Sequence, residues 1–384
     1  MAISSKPTSK SDWTDGTPAN RLEPSVGKKS TGFLSAEKPG FLTFNWVQWV
    51  HNQWVEYFES ITDFLFSKTA GKNYLINGDF PIWERGTTTG AGTSGINYMA
   101  DRWRAYSLGS TYNYSRSAFT LGQTDVPNEP TYYTTMVVSS VPGVFNFAIL
   151  GQYIENVRTL VGKTITISFY AKADSAKDMS VTINQNFGTG GSPSAAVSLL
   201  FDKFTLTTSF AKYTATVTLP SISGKTLGTN NDNSLIVDFW FDSGSFYDSI
   251  NDSLGQQSGT FDISQVQVEE GEEATNFQLR SIGEEFGLCK RFYEKKPYDI
   301  TGWILSATTA QAGLFFSKKR TSPTITQTGN WNVRYSGGGG QQSGSTTYTN
   351  ISDGSGRVII TVAGGLTANE ACELFGTAEI DSDF

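Results

Sequence analysis

From about residue 73 onward, apolar and polar positions alternate with a period of two, the spacing of half-buried strands. Ile165, Ile167 and Phe169 alternate with threonine and serine, and Phe145, Phe147 and Ile149 alternate likewise. Met179, Val181 and Ile183 form another such set, as do Tyr213, Ala215, Val217 and Leu219. Residues 132–138 and the more continuous apolar run 235–241 add two further strands. In FDISQVQV (261–268) the apolar set is Phe261 and Ile263, then slips by one to Val266 and Val268, which predicts a β-bulge. Seven or more strands over roughly 200 residues, joined by Gly- and Asn-rich connections, predict an antiparallel, jelly-roll-like β-sandwich. The segment 280–296 breaks the alternation: Ile282, Phe286, Cys289 and Phe292 or Tyr293 fall at helical steps. Short strands resume after it, with Gly337–Gly340 as a hairpin tip, and predict a smaller C-terminal β domain over 297–384.

The first part of the chain reads differently. In FNWVQWVHNQWVEYFESITDFLF (44–66), Val47, Val50, Trp54, Tyr57, Ile61 and Phe64 recur at alternating steps of three and four, a heptad seam. A helix of that length runs roughly 33 Å. It is too apolar to stand in water and too short for an unaided coiled coil, so it is expected to pack against copies of itself or another subunit. His51 lies one position from the seam, where a surface or interface role is expected. Residues 1–40 hold Pro7, Pro18, Pro24 and Pro39 with no sustained apolar period. Trp13, Leu22, Val26, Phe33 and Leu34 are spread along them, as in an extended strap that docks elsewhere. The predicted organisation is therefore mainly β: strap and helix over 1–70, a sandwich over 71–280, a short helical linker over 281–296 and a β tip over 297–384.

Composition sharpens this picture. Charged residues make up 17% and aromatics 13%, with 39 glycines, which suits strands and turns better than helices or disorder. The net charge of −7 disfavours nucleic acid as a partner. With one histidine, every His-dependent zinc site, triad or Cys–His dyad would have to use His51. Cys289 and Cys372 cannot make a zinc cluster by themselves; buried reduced thiols are the expectation, one disulfide the alternative. No run of 18 apolar residues predicts a membrane helix, and the first 16 residues have no apolar signal core.

Motifs that could carry chemistry are few. GAGTSG (90–95) matches a dinucleotide fingerprint by letter, but RGTTT precedes it and INYMADRW follows, so a loop is expected. Asp238, Asp242, Asp248 and Asp252 are the candidates for the paired carboxylates of glycoside hydrolysis, with a polar loop as the default. Glycan recognition needs flat aromatic faces beside polar side chains. Loop candidates are Tyr106, Tyr112, Tyr114, Phe246 and Tyr247; near the tip they are Trp331, Tyr335 and Tyr348, with Asn332, Gln341 and Gln342 for polar contacts. Lys318, Lys319 and Arg320 form a small basic cluster, read as a solvated face.

Two stretches carry a family resemblance. Residues 6–58 resemble the N-terminal attachment segments of tailed-bacteriophage tail-fibre proteins, through a Trp-containing start, an EP-x-x-x-KK-x-x-GF stretch, Ala36-Glu37-Lys38-Pro39 and the following FNW helix. Residues 72–104 resemble the module N-x-L-I-N-G-x-F-x-x-W-x-R-G…ADRW of phage tail fibres and receptor-binding proteins. Here it reads Asn73, Leu75, Ile76, Asn77, Gly78, Phe80, Trp83, Arg85, Gly86, then Ala100, Asp101, Arg102 and Trp103. IGEEFGLCKRFYEKK (282–296) and KKRTSPTITQTG (318–329) resemble further elements of that family. NGDF is expected to make a tight turn, and an ion pair of Asp101 and Arg102 would fix the start of the strand at Trp103, so these residues are read as structural.

The resemblance implies a homotrimeric virion protein of the phage tail, made in the bacterial cytoplasm. Residues 1–66 would attach it to the tail or baseplate, a sandwich akin to carbohydrate-binding modules would follow, and the C-terminal tip would lie distally. The expected activity is non-enzymatic binding of a host-surface glycan or other receptor. A glycan depolymerase and a spacer fibre that carries another receptor-binding protein are the alternatives. No cofactor is expected, beyond the structural calcium such modules often carry, which would fall near Asp79 or Asp262. Light scattering on the purified chain is expected to give about three times 41.9 kDa; replacing Trp54 and Ile61 with Asp should weaken that trimer, and a clean monomer at micromolar concentration contradicts it.

Overall fold

The computed structural model describes residues 51, 53–55, 57–58, 72–335 and 341–384. The chain divides into two units, Met1–Gly71 and Lys72–Phe384. In the first unit the described residues are helical; Trp54 lies 5.7 Å from both Tyr57 and Phe58, ring centre to ring centre, and His51 is exposed. The strap and the seam positions Val47, Val50, Ile61 and Phe64 lie outside the described residues.

The second unit opens with ten antiparallel strands: β1 (Thr93–Tyr98), β2 (Trp103–Ala118), β3 (Tyr132–Ser139), β4 (Phe147–Glu155), β5 (Thr164–Ala173), β6 (Lys177–Asn186), β7 (Val197–Leu206), β8 (Ala211–Thr218), β9 (Ser234–Ser243) and β10 (Gly259–Glu270). Their order is β7-β6-β9-β4-β2-β3-β10-β5-β8, with β1 beside β2. β2 serves both layers of a sandwich: Trp103–Leu108 pair with β4, and Thr111–Ala118 pair with β3. Between them Gly109 takes φ +72° with the Asn146 side chain 2.0 Å from where a Cβ would sit, so only glycine turns this corner. Rings from the two layers meet inside: Phe239 lies 5.2 Å from Phe169, and Phe241 4.8 Å from Phe261.

The predicted bulge in β10 is present. Pairing with β5 shifts between Ser264 and Gln267, Gln265 takes φ +49°, and Phe261, Ile263, Val266 and Val268 all face the core. The alternation did not reveal β1, β2 or β7. In β2 the corner at Gly109 resets the parity. In β7 the adjacent Leu199, Leu200 and Phe201 straddle a register shift and mask it. The three tyrosines read as loop residues are therefore strand residues: Tyr112 and Tyr114 are core, and Tyr106 is half-buried.

The N-G-D-F segment ties the sandwich together. The Asn77 side chain donates to the carbonyls of Ile82 and Asp101, both at 2.9 Å, and accepts from the Ile82 amide at 3.1 Å. Its own carbonyl accepts from the Trp103 indole at 2.9 Å. Asn77 takes φ +58°, a conformation asparagine tolerates better than most residues. Gly78 comes so close to β10 that a Cβ would lie 2.2 Å from the Val266 carbonyl oxygen.

A helix, α1 (Ile282–Lys290), follows, capped by Ser281. Its inward residues are Glu285 and Cys289; Ile282, expected inside, is exposed. Glu285 is drawn in because it accepts from the Asn77 amide and from Arg280. Both cysteines are free buried thiols, and burial pushes the Cys289 thiol well above its usual range, which leaves it inert.

The chain then closes a six-stranded antiparallel barrel: β11 (Tyr293–Ser306), β12 (Thr309–Phe315), β13 (Thr324–Tyr335), β14 (Gln341–Thr349), β15 (Ser355–Thr361) and β16 (Ala371–Asp381). Its final residues return to the sandwich. Arg102, fully buried, pairs with Asp383, donates to the Tyr153 carbonyl at 2.6 Å and lies 3.4 Å from the Phe292 ring. Arg85 pairs with Asp381 and Asp383, and its Asp101 contact is 3.4 Å. The expected Asp101–Arg102 pair is thus replaced: Asp101 meets Arg85, sixteen positions before it, and Arg102 meets Asp383 at the end of the chain.

Gly78→Ala and Asn77→Ala are each expected to cost about 3 kcal/mol, the first by overlap with backbone and the second by stranding buried polar groups. Chemical denaturation checks this; a midpoint unchanged from the parent in either variant removes the turn from its central place.

Candidate functional site

The barrel's strand parity decides which predicted tip residues meet solvent. β11 begins and β16 ends against the sandwich, so the opposite end of the barrel carries Ser306–Thr309, the end of β13, the start of β14 and the connection into Ala371. Tyr335 and Gln341 are at that end. Tyr335 is half-buried, its hydroxyl accepting from Gln342 at 2.9 Å, and Gln341 is exposed opposite Arg334. Asn332, half-buried, accepts from Ser343 at 2.7 Å. Gly337–Gly340 lie outside the described residues.

Trp331 corrects an expectation. It is 0% exposed and fills the barrel interior, 5.9 Å from the Tyr298 ring and 6.5 Å from Tyr348, with its indole N–H on the Thr377 carbonyl. A Cβ at Gly376 would lie 2.4 Å from the Trp331 ring, so glycine makes room for it. Neither Trp331 nor the half-buried Tyr348 packed beside it presents a free face. Trp331 shares its strand parity with Ile325 and Val333, both buried, and that face of β13 lines the barrel interior.

The outer surface of the same strands carries a tryptophan that the reading of the sequence passed over. Trp303, 60% exposed, stands opposite Ala371 on β16. Two residues on, Thr301, Glu373 and Arg334 form a row across β11, β16 and β13. A groove of about 410 Å³ runs over this row, lined by Thr301, Arg334, Tyr335, Ala371, Cys372 and Glu373. Arg334 and Glu373 pair at 2.7 Å, and the guanidinium lies 5.0 Å from the Phe375 ring. A large flat ring beside a small residue, with a hydroxyl, a guanidinium and a carboxylate within reach, can stack against an apolar face while bonding hydroxyl groups. The signal was in the sequence: Tyr298, Ile300 and Ile304 share one parity, which puts Trp303 and Leu305 on the other.

A second surface lies at the sandwich end away from the barrel. Phe145 and Phe246 are both more than half exposed, with rings 4.9 Å apart; the series continues inward through Tyr247, Phe147, Trp240 and Tyr106. Exposed Leu108, Val141 and Val144 accompany the outer pair. The predicted Phe246, Tyr247 and Tyr106 are thereby brought together, on a surface more apolar than the barrel groove.

The remaining chemical candidates have structural partners. GAGTSG forms turns and the start of β1, with no helix after it. Asp238 pairs with buried Arg104 at 2.7 Å; Asp242 accepts from Ser110, Ser140 and the Gln257 amide; Asp252 pairs with Lys203 at 3.2 Å. Asp248 begins a helical turn. Asp262 is held by Thr135 and Lys172. Among the described residues no group of three or more His, Cys, Asp or Glu side chains could hold a metal ion, at Asp79, Asp262 or elsewhere. Only Lys318 of the basic cluster is solvated: Lys319 is buried with its ammonium on the Lys290 carbonyl and Glu294, and half-buried Arg320 lies 4.0 Å from the Phe384 ring.

No family model matches the chain, and no curated protein matches it. Among solved structures, a CBM4 module is similar at 18% identity and TM-score 0.29, over 51% of this chain and 98% of that one. The family 11 carbohydrate-binding module of a Clostridium thermocellum cellulase gives 14% and 0.29, over 47% of this chain and 98% of that one. The enzymatically active domain of bacteriophage CBA120 tailspike protein 4 gives 12% and 0.28, over 52% of this chain and 21% of that one. Similarity at that level assigns neither ligand nor activity here.

Trp331→Ala is expected to cost about 4 kcal/mol and Trp303→Ala less than about 0.5 kcal/mol, since only the first leaves a cavity. Thermal denaturation of the two variants side by side checks the assignment of core and surface; equal losses would refute it.

Proposed function

We propose that this chain is a non-enzymatic tail-fibre receptor-binding protein of a tailed bacteriophage. In this reading it is a homotrimer held to the tail or baseplate by residues 1–66, and it binds a host-surface glycan through the barrel. The attachment and the trimer rest on the resemblance of residues 6–58 and 72–104 to phage fibre segments and on the apolar helical seam. Glycan binding rests on one observation above all: the exposed Trp303 face beside a groove lined by Thr301, Arg334 and Glu373. A sugar ring offers C–H surface to the indole and hydroxyls to those polar groups.

The depolymerase alternative is less well supported. Retaining and inverting hydrolysis each use two carboxyl groups, whereas the groove lining offers Glu373 alone, and Arg334 holds it. Three copies on one fibre would raise weak single-site binding by avidity.

Trp303→Ala, with circular dichroism and trimer mass matching the parent, is expected to lower host adsorption at least about tenfold, the equivalent of losing one good contact. Adsorption at parental level by that correctly folded trimer would argue for the spacer reading, in which the barrel never touches the host.

A further inference from the structure

A separate cavity of about 380 Å³ opens where the sandwich meets α1, and neither fold nor groove accounts for it. Asp79 stands in its lining, directly after the Asn77–Gly78 turn packed against the Val266 carbonyl. Among the described residues its carboxyl accepts one hydrogen bond, a long 3.5 Å contact from the Ser264 hydroxyl. The second acid of the cavity, Glu285, is already neutralised: Arg280 reaches both its oxygens, at 3.1 and 3.2 Å. Among the described residues no cation lies within ion-pair distance of Asp79. Burial pushes its carboxyl up to about 7, with Glu285 adding to the rise and Ser264 opposing it.

Thr131 and Gln278 add polar groups to the lining, and its remaining surface is apolar. Tyr132 and Phe277 form walls, and Leu279 and Ile282 stand at the rim, 59% and 64% exposed. A half-buried carboxyl without a counter-charge, below an exposed hydrocarbon rim, matches a ligand with a cationic head and an aliphatic stem. Tyr132 already takes one cation, Arg116, at 4.2 Å from its ring centre.

We infer that this cavity binds a primary alkylammonium group, its charge on Asp79 and its stem between Phe277, Leu279 and Ile282. The same chemistry is found in a lysine side chain of a partner peptide and in a free diamine. Binding requires Asp79 in its charged form. The other charged or titratable groups around the cavity are Glu285 and Arg280 on the helix side, and Tyr132 with Arg116 on the strand side.

The test is calorimetric titration of the full chain with n-butylammonium, n-butanol, putrescine and Nα-acetyl-lysine methylamide. n-Butylammonium should bind saturably and at least tenfold more tightly than n-butanol. That preference should grow from pH 5 to 7, level off above 7 and vanish in Asp79→Asn. Ile282→Ser, an exposed position, should weaken ammonium and alcohol together. Tighter binding of the lysine derivative than of putrescine supports a peptide source, and the reverse supports a free amine. Equal binding of n-butanol, a preference that survives Asp79→Asn, no saturation with any amine, or displacement of n-butylammonium by calcium at stoichiometric levels would each overturn the proposal.

Discussion

One buried amide organises the larger part of this molecule. Asn77 has no contact with solvent, and its carboxamide and backbone satisfy groups from the segment after it, from the start of β2 and from α1. Leaving any one of those groups unpaired in the interior costs about 1–3 kcal/mol, so the arrangement is close to all-or-none. The turn it stabilises puts Phe80 against Trp103, rings 5.1 Å apart, and these join the core shared by both sandwich layers. The N-G-x-F…A-D-R-W signature, read from the sequence as structural, is thus a device for closing a sandwich.

The same region explains how barrel and sandwich form one unit. Arg85 and Arg102 leave the N-terminal end of the sandwich and find their carboxylates at Asp381 and Asp383, nearly three hundred positions later. Each guanidinium also lies over a ring from the barrel side, Tyr293 at 3.6 Å and Phe292 at 3.4 Å. Charges buried so deeply are tolerated when fully paired, and removing one partner would leave an uncompensated ion. The junction therefore specifies the geometry of the two parts more than it adds net stability.

Function is left to side chains that the core does not use. Trp331 and Trp303 lie on barrel strands, yet one supports the barrel and the other stands free beside the groove. The proposed glycan site and the ammonium cavity follow one logic: aromatic or aliphatic surface remains exposed next to polar groups held in place by the fold.

Much of the fold was legible in the sequence. Alternation located most sandwich strands, and the one-residue slip at 264–267 announced the bulge before any pairing was known. The break at 280–296 marked the helix. What period two cannot tell is which of its two faces another layer will cover. Closure of the barrel by distant pairings makes that choice: the face of β13 that carries Ile325, Trp331 and Val333 turns inward, and the face of β11 that carries Thr301 and Trp303 turns outward. Burial of Lys319 against Glu294 and of Arg102 against Asp383 was hidden for the same reason. Each is decided by a group remote in sequence, because a charge is buried only where its counter-charge has been brought to meet it.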